Sequence, residues 1–233
     1  MNAQSTHFTR FLQKKSLFSL LSCLLILICA FFMPACKKGV DYLSYVSELR
    51  SNILLAQTDE FALRVFATQK ETPYTADGVK REMTSRAEIY LTAPSGIKNY
   101  SVGFDVNGES YGGELSYNNV NGEYYFSCTL DISNQKELTV VISCENQTTT
   151  LVAKSVLSQN VLTPKDALFT LIDAQQDTFS ALTDEYGFAG EIRVRLIYEE
   201  TPYYYIGVTD KNGNTTAFLL NASTGKVLAK HQG

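Results

Sequence analysis

Short runs of β-branched and aromatic residues, separated by turn residues, fill the chain from Val40 to Leu157 and constrain its fold more than any other feature. Clear examples are residues 88–92, 124–128 and 138–142. The turn signals between such runs are Asp77-Gly78, Pro94-Ser95-Gly96, Asn107-Gly108, Gly112-Gly113 and Asn121-Gly122. A turn about every 10 to 15 residues is typical of an antiparallel sandwich of about seven to nine strands. We therefore expect residues 44–157 to form an immunoglobulin-like β-sandwich.

Two details refine this expectation. Residues 51–55 and 61–68, joined across Thr58-Asp59-Glu60, predict an early hairpin. The chain contains no Trp, and immunoglobulin domains keep a buried Trp against a disulfide that joins the two sheets. The term immunoglobulin-like thus describes an architecture and not a family.

The pattern changes after a short polar linker at residues 158–162. Thr163 is suited to cap a helix that has Pro164 in its first turn. Apolar residues then recur at helical spacing until Gly187, which is expected to end the helix. Three or four strands follow, at residues 191–198, 203–209, 215–220 and a short 227–229. The chain is therefore expected to be mainly β, with a second α+β domain at residues 163–231 made of one helix and an antiparallel meander.

Residues 204–228 of this second domain resemble the PepSY family. The resemblance rests on the sequence Tyr-Tyr-Ile-Gly-Val-Thr-Asp-Lys-Asn-Gly-Asn and on the later Asn-Ala-Ser-Thr-Gly-Lys-Val-Leu. Where the family usually carries an aspartate before the Thr-Gly-x-Val turn, this chain has Asn221. The resemblance implies a helix followed by three strands, and a role in regulating or inhibiting secreted peptidases. The chain as a whole is also similar to uncharacterised bacterial lipoproteins.

The N-terminal segment has the layout of an export signal. Basic residues (Arg10, Lys14, Lys15) precede an apolar block at residues 17–33, and a small residue, Ala35, precedes Cys36. This arrangement resembles a lipobox, which implies a signal peptide at residues 1–35, a lipid on Cys36 and a tether at residues 36–43. An uncleaved membrane anchor and simple secretion are the alternatives. All three place the rest of the chain outside the cytoplasm, and the first predicts a lipid anchor in the cell membrane.

Charge excludes one class of partner. The first 35 residues hold three of the 20 basic residues and none of the 24 acidic ones, so the remainder carries a net charge of −7. Nucleic-acid binding depends on a basic surface that neutralises phosphates. We therefore expect no nucleic acid among the partners.

Histidine is too scarce for several kinds of catalysis. The chain has only His7, in the signal segment, and His231, the third residue from the end. A Ser-His-Asp or Cys-His mechanism needs an imidazole held firmly beside its nucleophile, and histidine-based zinc sites need several. No glycine-rich phosphate loop follows a strand. The sequence therefore predicts a protein that is not an enzyme and has no cofactor, no metal and no catalytic residues.

Carboxylate chemistry remains as an alternative. Glycoside hydrolysis needs two acids about 5 to 10 Å apart, and Asp105, Glu109, Glu114 and Glu123 lie among tyrosines. A carboxylate-dependent cell-wall or glycan hydrolase is therefore the second hypothesis. Such a surface is also able to bind sugars without cleaving them.

The last two cysteines of the chain, Cys128 and Cys144, alternate with core residues and are expected to be buried thiols. If residues 134–136 join their two strands, the cysteines lie diagonally across the pair. Diagonal Cα atoms are about 7 to 8 Å apart, at or beyond the reach of a disulfide. A Cys128–Cys144 disulfide is therefore not expected.

The strongest candidate binding site lies in the meander. If Tyr203 and Tyr205 share a sheet face with Arg193 and Arg195, they form a patch of residue types that are enriched at protein interfaces. We therefore predict a membrane-anchored, extracytoplasmic binding or regulatory module whose partner is a secreted peptidase or an envelope component. A solute-binding lipoprotein is a third hypothesis, although such proteins usually have two larger α/β lobes.

Overall fold

The structure is a computed structural model that describes residues 39–72, 81–94, 96, 98–158 and 160–233. The predicted signal peptide, Cys36 and the Asp77-Gly78 turn lie outside the described residues. Val40–Gly233 form one compact unit. Within the described ranges, no helix has both the length and the apolar character that a membrane crossing requires.

The unit is mainly β, as predicted. Its strands are β1 (Val46–Gln57), β2 (Ala62–Glu71), β3 (Met83–Thr92), β4 (Tyr100–Val106), β5 (Glu109–Glu114), β6 (Ser116–Asn118), β7 (Glu123–Thr129), β8 (Glu137–Cys144), β9 (Gln147–Ser155), β10 (Thr183–Asp184), β11 (Gly187–Phe188), β12 (Gly190–Glu199), β13 (Thr201–Asp210), β14 (Thr215–Asn221) and β15 (Val227–Gln232). A 3-10 helix at Tyr42–Tyr45 precedes them, and helices α1 (Pro164–Ala174) and α2 (Gln176–Ala181) lie between β9 and β10.

The predicted early hairpin is confirmed. β1 and β2 pair antiparallel over most of their length. The side-chain oxygen of Thr58 accepts a hydrogen bond from the Phe61 amide at 3.0 Å, which closes the turn between them. β-Branched and long apolar residues suit these strands because one face of each is buried.

β1 has different neighbours along its length. Its first half pairs with β12 in a parallel ladder that runs from Val46 to Arg50, and Leu54 and Leu55 pair antiparallel with β9. A bulge between Arg50 and Asn52 in the β1–β2 ladder lies between these two segments. One sheet therefore contains strands from both predicted domains, and the predicted division into domains 44–157 and 163–231 is not confirmed.

The first core is enclosed by strands and their connecting loops. The order β6-β7-β3-β2-β1 continues through the β1–β9 contact into β9-β8-β4-β5, so a single sheet curves into a nearly closed form. Because these strands belong to one sheet and not to two, the immunoglobulin-like sandwich is not confirmed. The predicted Gly112-Gly113 turn is wrong, since both glycines lie within β5. A Cβ on Gly112 would approach the Val102 carbonyl oxygen to 2.2 Å, so the close β4–β5 pairing requires glycine there.

The second core lies beneath the helices. The Thr163 side chain accepts a hydrogen bond from the Asp166 amide and Pro164 opens α1, as predicted. The predicted end at Gly187 is wrong, because α1 stops at Ala174 and Gln175 leaves the helical region with φ −130° and ψ 39°. The chain then starts α2, which buries Phe179, and Gly187 belongs to the small β10–β11 hairpin.

The predicted four-stranded meander is confirmed as β12 to β15, each paired antiparallel with the next. α1 packs on β1, β12 and β13. One face of the meander therefore supplies buried residues to the second core, among them Ile192, Val194, Tyr204, Ile206 and Phe218. The opposite face carries the residues that were predicted to bind a partner.

Candidate functional site

The four residues of the predicted patch lie on one face of the meander. In the β12–β13 ladder Arg195 lies directly opposite Tyr205, and such pairs project to the same side of a sheet. Alternation along each strand adds Arg193 and Tyr203 to this face. All four side chains are half-buried. We refer to Arg193, Arg195, Tyr203 and Tyr205 as the tyrosine–arginine patch.

Arg195 is held by a carboxylate from β1. Its Nε and Nη2 atoms donate to the two oxygens of Glu48 at 2.9 and 2.5 Å. The Glu48 side chain is 9% exposed and the Arg195 side chain 35% exposed. The guanidinium carbon lies 6.0 Å from the centre of the Tyr205 ring. This two-point geometry orients the guanidinium toward the tyrosine more rigidly than a single contact would.

Arg193 is held by a different acid. Its Nε lies 3.3 Å from Oε1 of Glu191, and its Nη2 donates to the Thr209 hydroxyl at 3.3 Å. The same Glu191 oxygen accepts a hydrogen bond from the Ser47 hydroxyl at 2.7 Å. Both arginines of the patch are therefore paired with nearly buried glutamates. Their charges are largely compensated, which favours recognition by hydrogen bonding and ring contact over simple attraction of anions.

Local charges keep the Glu48–Arg195 pair ionised. Burial alone would raise the pKa of Glu48, but the hydrogen bonds and charge of Arg195, together with the charges of Lys70 and Arg50, leave it below its ordinary value. The hydrogen bonds to Glu48 raise the pKa of Arg195. The pair therefore persists over the physiological range of pH.

Gly207 determines how the Tyr205 ring lies. A Cβ built on Gly207 would be 3.0 Å from the Tyr205 hydroxyl oxygen and 3.2 Å from its Cε1 atom. The ring thus leans along β13 over the bare backbone of Gly207, two residues further on. Because Gly207 has no side chain, the Tyr205 ring packs flat on the β13 backbone beside the arginines.

The charged face continues past β1 onto β2 and β3. The guanidinium of Arg50 lies 4.0 Å from the centre of the Phe66 ring, which is a cation–π contact. Lys70 donates to Glu88 at 2.8 Å. Glu88 is 3% exposed, and its second carboxylate oxygen has no hydrogen-bond partner among the described residues. Cations and carboxylates therefore alternate from the patch toward β3.

Two of the acids that motivated the hydrolase hypothesis, Glu109 and Glu114, do not form a catalytic pair. Glu109 and Glu114 occupy the two ends of β5 in an unbroken register with β4, so they project to opposite faces. Asp105 accepts a hydrogen bond from Ser110, and Glu123 is paired with Arg64. The Glu109–Glu114 pair therefore cannot flank one bond. Whether the protein has any enzymatic activity stays a prediction.

Cys128 and Cys144 are free thiols that pack against the first core. Their strands do not form the hairpin considered for residues 134–136: β7 pairs with β3 and β6, and β8 pairs with β4 and β9. Burial raises the pKa of Cys128, so this thiol is a poor nucleophile. Cys36, the predicted lipidation site, lies outside the described residues.

Sequence reasoning found the patch but missed the carboxylates that support it. Glu48 and Glu191 are 147 and 2 positions away from the arginines that they hold. The signal for Glu191 was its position on the same alternating face as Arg193. Nothing local indicated Glu48, because its role depends on the parallel pairing of β1 with β12.

No metal site is evident in the part of the chain that the structure describes, where no three or more His, Cys, Asp or Glu side chains are grouped to hold an ion. No protein-family model, curated protein or solved structure matches the chain.

Proposed function

We propose that this protein is an extracytoplasmic lipoprotein, anchored in the cell membrane through a lipid on Cys36, that binds a macromolecule through the tyrosine–arginine patch. The partner class we propose is a secreted peptidase or a component of the cell envelope. Binding is the whole activity in this proposal, and no bond is made or broken. The resemblance of residues 204–228 to PepSY domains is part of the same proposal.

One observation carries the proposal: Tyr203 and Tyr205 share a sheet face with two arginines that are oriented by nearly buried glutamates. Tyrosine and arginine are the residue types that most often dominate the energy of protein interfaces. Prior fixing of a side chain reduces the entropy that binding must overcome. Compensated arginines also favour a partner that offers hydrogen-bond acceptors and apolar surface.

Site-specific photocrosslinking tests the proposal. A photoreactive phenylalanine analogue at position 203, in the full chain expressed in its own cell, is expected to capture one specific protein or glycan. Position 186 provides the control, because Tyr186 is 89% exposed in the β10–β11 hairpin and lies outside the patch. Equal capture at both positions, or none at position 203, would refute the proposed site.

Two substitutions sharpen this experiment. Tyr203→Ala is expected to abolish capture by a probe placed at position 205, with no loss of fold. Arg195→Lys keeps the positive charge but removes the two-point contact with Glu48, and is expected to weaken capture by about tenfold. Cys36→Ala tests the anchor separately, since it is expected to move the protein from the detergent phase to the aqueous phase.

A further inference from the structure

A pocket of about 610 Å³ opens where β6 and β7 meet β3, apart from the tyrosine–arginine patch. Tyrosines and asparagines dominate its lining: Tyr90, Tyr117, Tyr125, Asn118, Asn119 and Asn121. Its size is in the range of small-ligand pockets, which are about 300 to 1,000 Å³. The pocket has no part in the proposed function.

Two tyrosines of the pocket, Tyr90 and Tyr125, are held in place by contacts with neighbouring side chains. Tyr90 and Tyr125 are direct partners in the β3–β7 ladder, and their ring centres are 5.0 Å apart. The Tyr90 ring also packs against Phe66 at 5.3 Å, and the Tyr125 hydroxyl donates to the nearly buried Glu88 at 3.4 Å. The pocket therefore offers ring surfaces that do not need to be ordered when a ligand binds.

Among the described residues that line the pocket, Glu123 is the one carboxylate, and its charge is compensated. It accepts hydrogen bonds from Arg64 at 2.5 Å and from Thr92 at 3.3 Å. Burial and the charge of Glu88 raise the pKa of Tyr90 to about 12, so this hydroxyl keeps its proton. A charged ligand would therefore lose its hydration without gaining a counter-charge.

The amide side chains select against a purely apolar ligand. The side-chain oxygen Oδ1 of Asn118 accepts a hydrogen bond from the Val120 amide at 2.9 Å and shapes the loop that follows β6. Asn119 and Asn121 are exposed in that loop, and each amide offers both donors and an acceptor. Covering these groups with a hydrocarbon would leave them without partners.

We propose that this pocket binds a neutral saccharide. The C–H face of a sugar ring suits the tyrosine rings, and its hydroxyls suit the asparagines and tyrosine hydroxyls, which act as both donors and acceptors. The inference concerns binding alone and is independent of the proposed partner of the tyrosine–arginine patch.

Titration of the folded protein with cellotetraose, chitotetraose, maltotetraose and mannotetraose, followed by NMR, tests the proposal. At least one is expected to shift the resonances of Tyr90, Tyr125 and Val120, a pocket residue that is 92% exposed. Tyr125→Ala is expected to weaken this binding by about tenfold or more. Tyr203→Ala is the matched control: it alters the other site and is expected to leave sugar binding unchanged.

Tyr125 also supports Glu88, so Tyr125→Ala has a structural risk that a second variant avoids. Asn119→Arg changes an exposed loop residue and places a long side chain at the mouth of the pocket. It is expected to weaken binding similarly with an unchanged melting temperature. The proposal is overturned if none of the four sugars shifts these resonances. It is also overturned if Asn119→Arg and every folded Tyr125 variant bind like the unaltered protein.

Discussion

The two hydrophobic cores of the unit are built from different elements. The first is enclosed by strands and their connecting loops, with Leu54, Leu63 and Ile89 among its fully buried residues. The second lies under helices α1 and α2, where the rings of Tyr42, Phe179 and Phe188 pack edge to face or stacked. The change from a strand pattern to a helical pattern in the sequence therefore coincides with the change from the first core to the second.

The two cores nevertheless share one sheet. β1 supplies Leu54 to the first core and Val46 to the second, and its backbone pairs with both β9 and β12. Breaking the unit between the cores would therefore leave a row of backbone groups without partners. We expect the two cores to unfold together.

The largest predicted effect comes from truncating each core in turn. Ile89→Ala in β3 and Ile192→Ala in β12 remove the same atoms from sites that are both 0% exposed. Each is expected to lower the free energy of unfolding by about 2 to 5 kcal/mol. Denaturant unfolding followed by tyrosine fluorescence and far-UV circular dichroism is expected to show one transition that moves in both variants. Two transitions, of which each variant moves only one, would instead establish independent domains.

A smaller effect is expected at the ion pair that joins the two regions. Glu48→Gln weakens the link between β1 and β12, and because Arg195 is partly solvated the loss is expected to be about 1 to 2 kcal/mol. Glu123→Gln is the control, since its partner Arg64 has a side chain that is 45% exposed. That change is expected to cost about 0.5 kcal/mol or less. Equal losses measured by urea unfolding would contradict the structural role of Glu48.

Removal of the N-cap of α1 tests how much this helix end contributes to the stability of the second core. Thr163→Ala deletes the oxygen that accepts from the Asp166 amide at 3.1 Å and is expected to cost about 1 kcal/mol. Thr163→Ser retains the oxygen and is expected to cost much less. If both variants have the melting temperature of the unaltered protein, the cap does not stabilise α1.

The smallest predicted effect is a dependence on pH. Because the pKa of Glu48 is lowered from 4.5 in the folded state, its contribution is present above pH 4.5 and is lost as the pH falls through the folded pKa. The Glu48→Gln variant is therefore expected to lose stability less steeply than the unaltered protein below pH 4.5. Hydrogen bonds from Asn214 also lower the pKa of Asp210. Asp210→Asn is therefore expected to reduce the steepness of the loss of stability at low pH in the same direction. Identical slopes for the unaltered protein and Glu48→Gln would contradict this prediction.

Features that depend on neighbours in the chain were predicted well. The β1–β2 hairpin, the cap at Thr163 and the four strands of the meander follow from patterns a few residues long. Two local predictions were wrong where a distant contact decided the outcome. Gly112-Gly113 resembled a turn but lies in β5, where β4 approaches too closely for a side chain. The helix expected to reach Gly187 breaks at Gln175, and α2 buries Phe179.

The sequence by itself determined a β-rich chain with a helical insertion, and the set of residues in the tyrosine–arginine patch. Alternation along a strand is a local property, so the shared face of Arg195 and Tyr205 could be inferred once the turn between β12 and β13 was recognised. Only the tertiary structure decided that β1 pairs in parallel with β12 and that Glu48 holds Arg195. It likewise decided that Tyr90 and Tyr125 form one wall of a pocket. These contacts join residues that are far apart in the chain, and which strands meet depends on burying both cores at once, a condition that no short pattern contains.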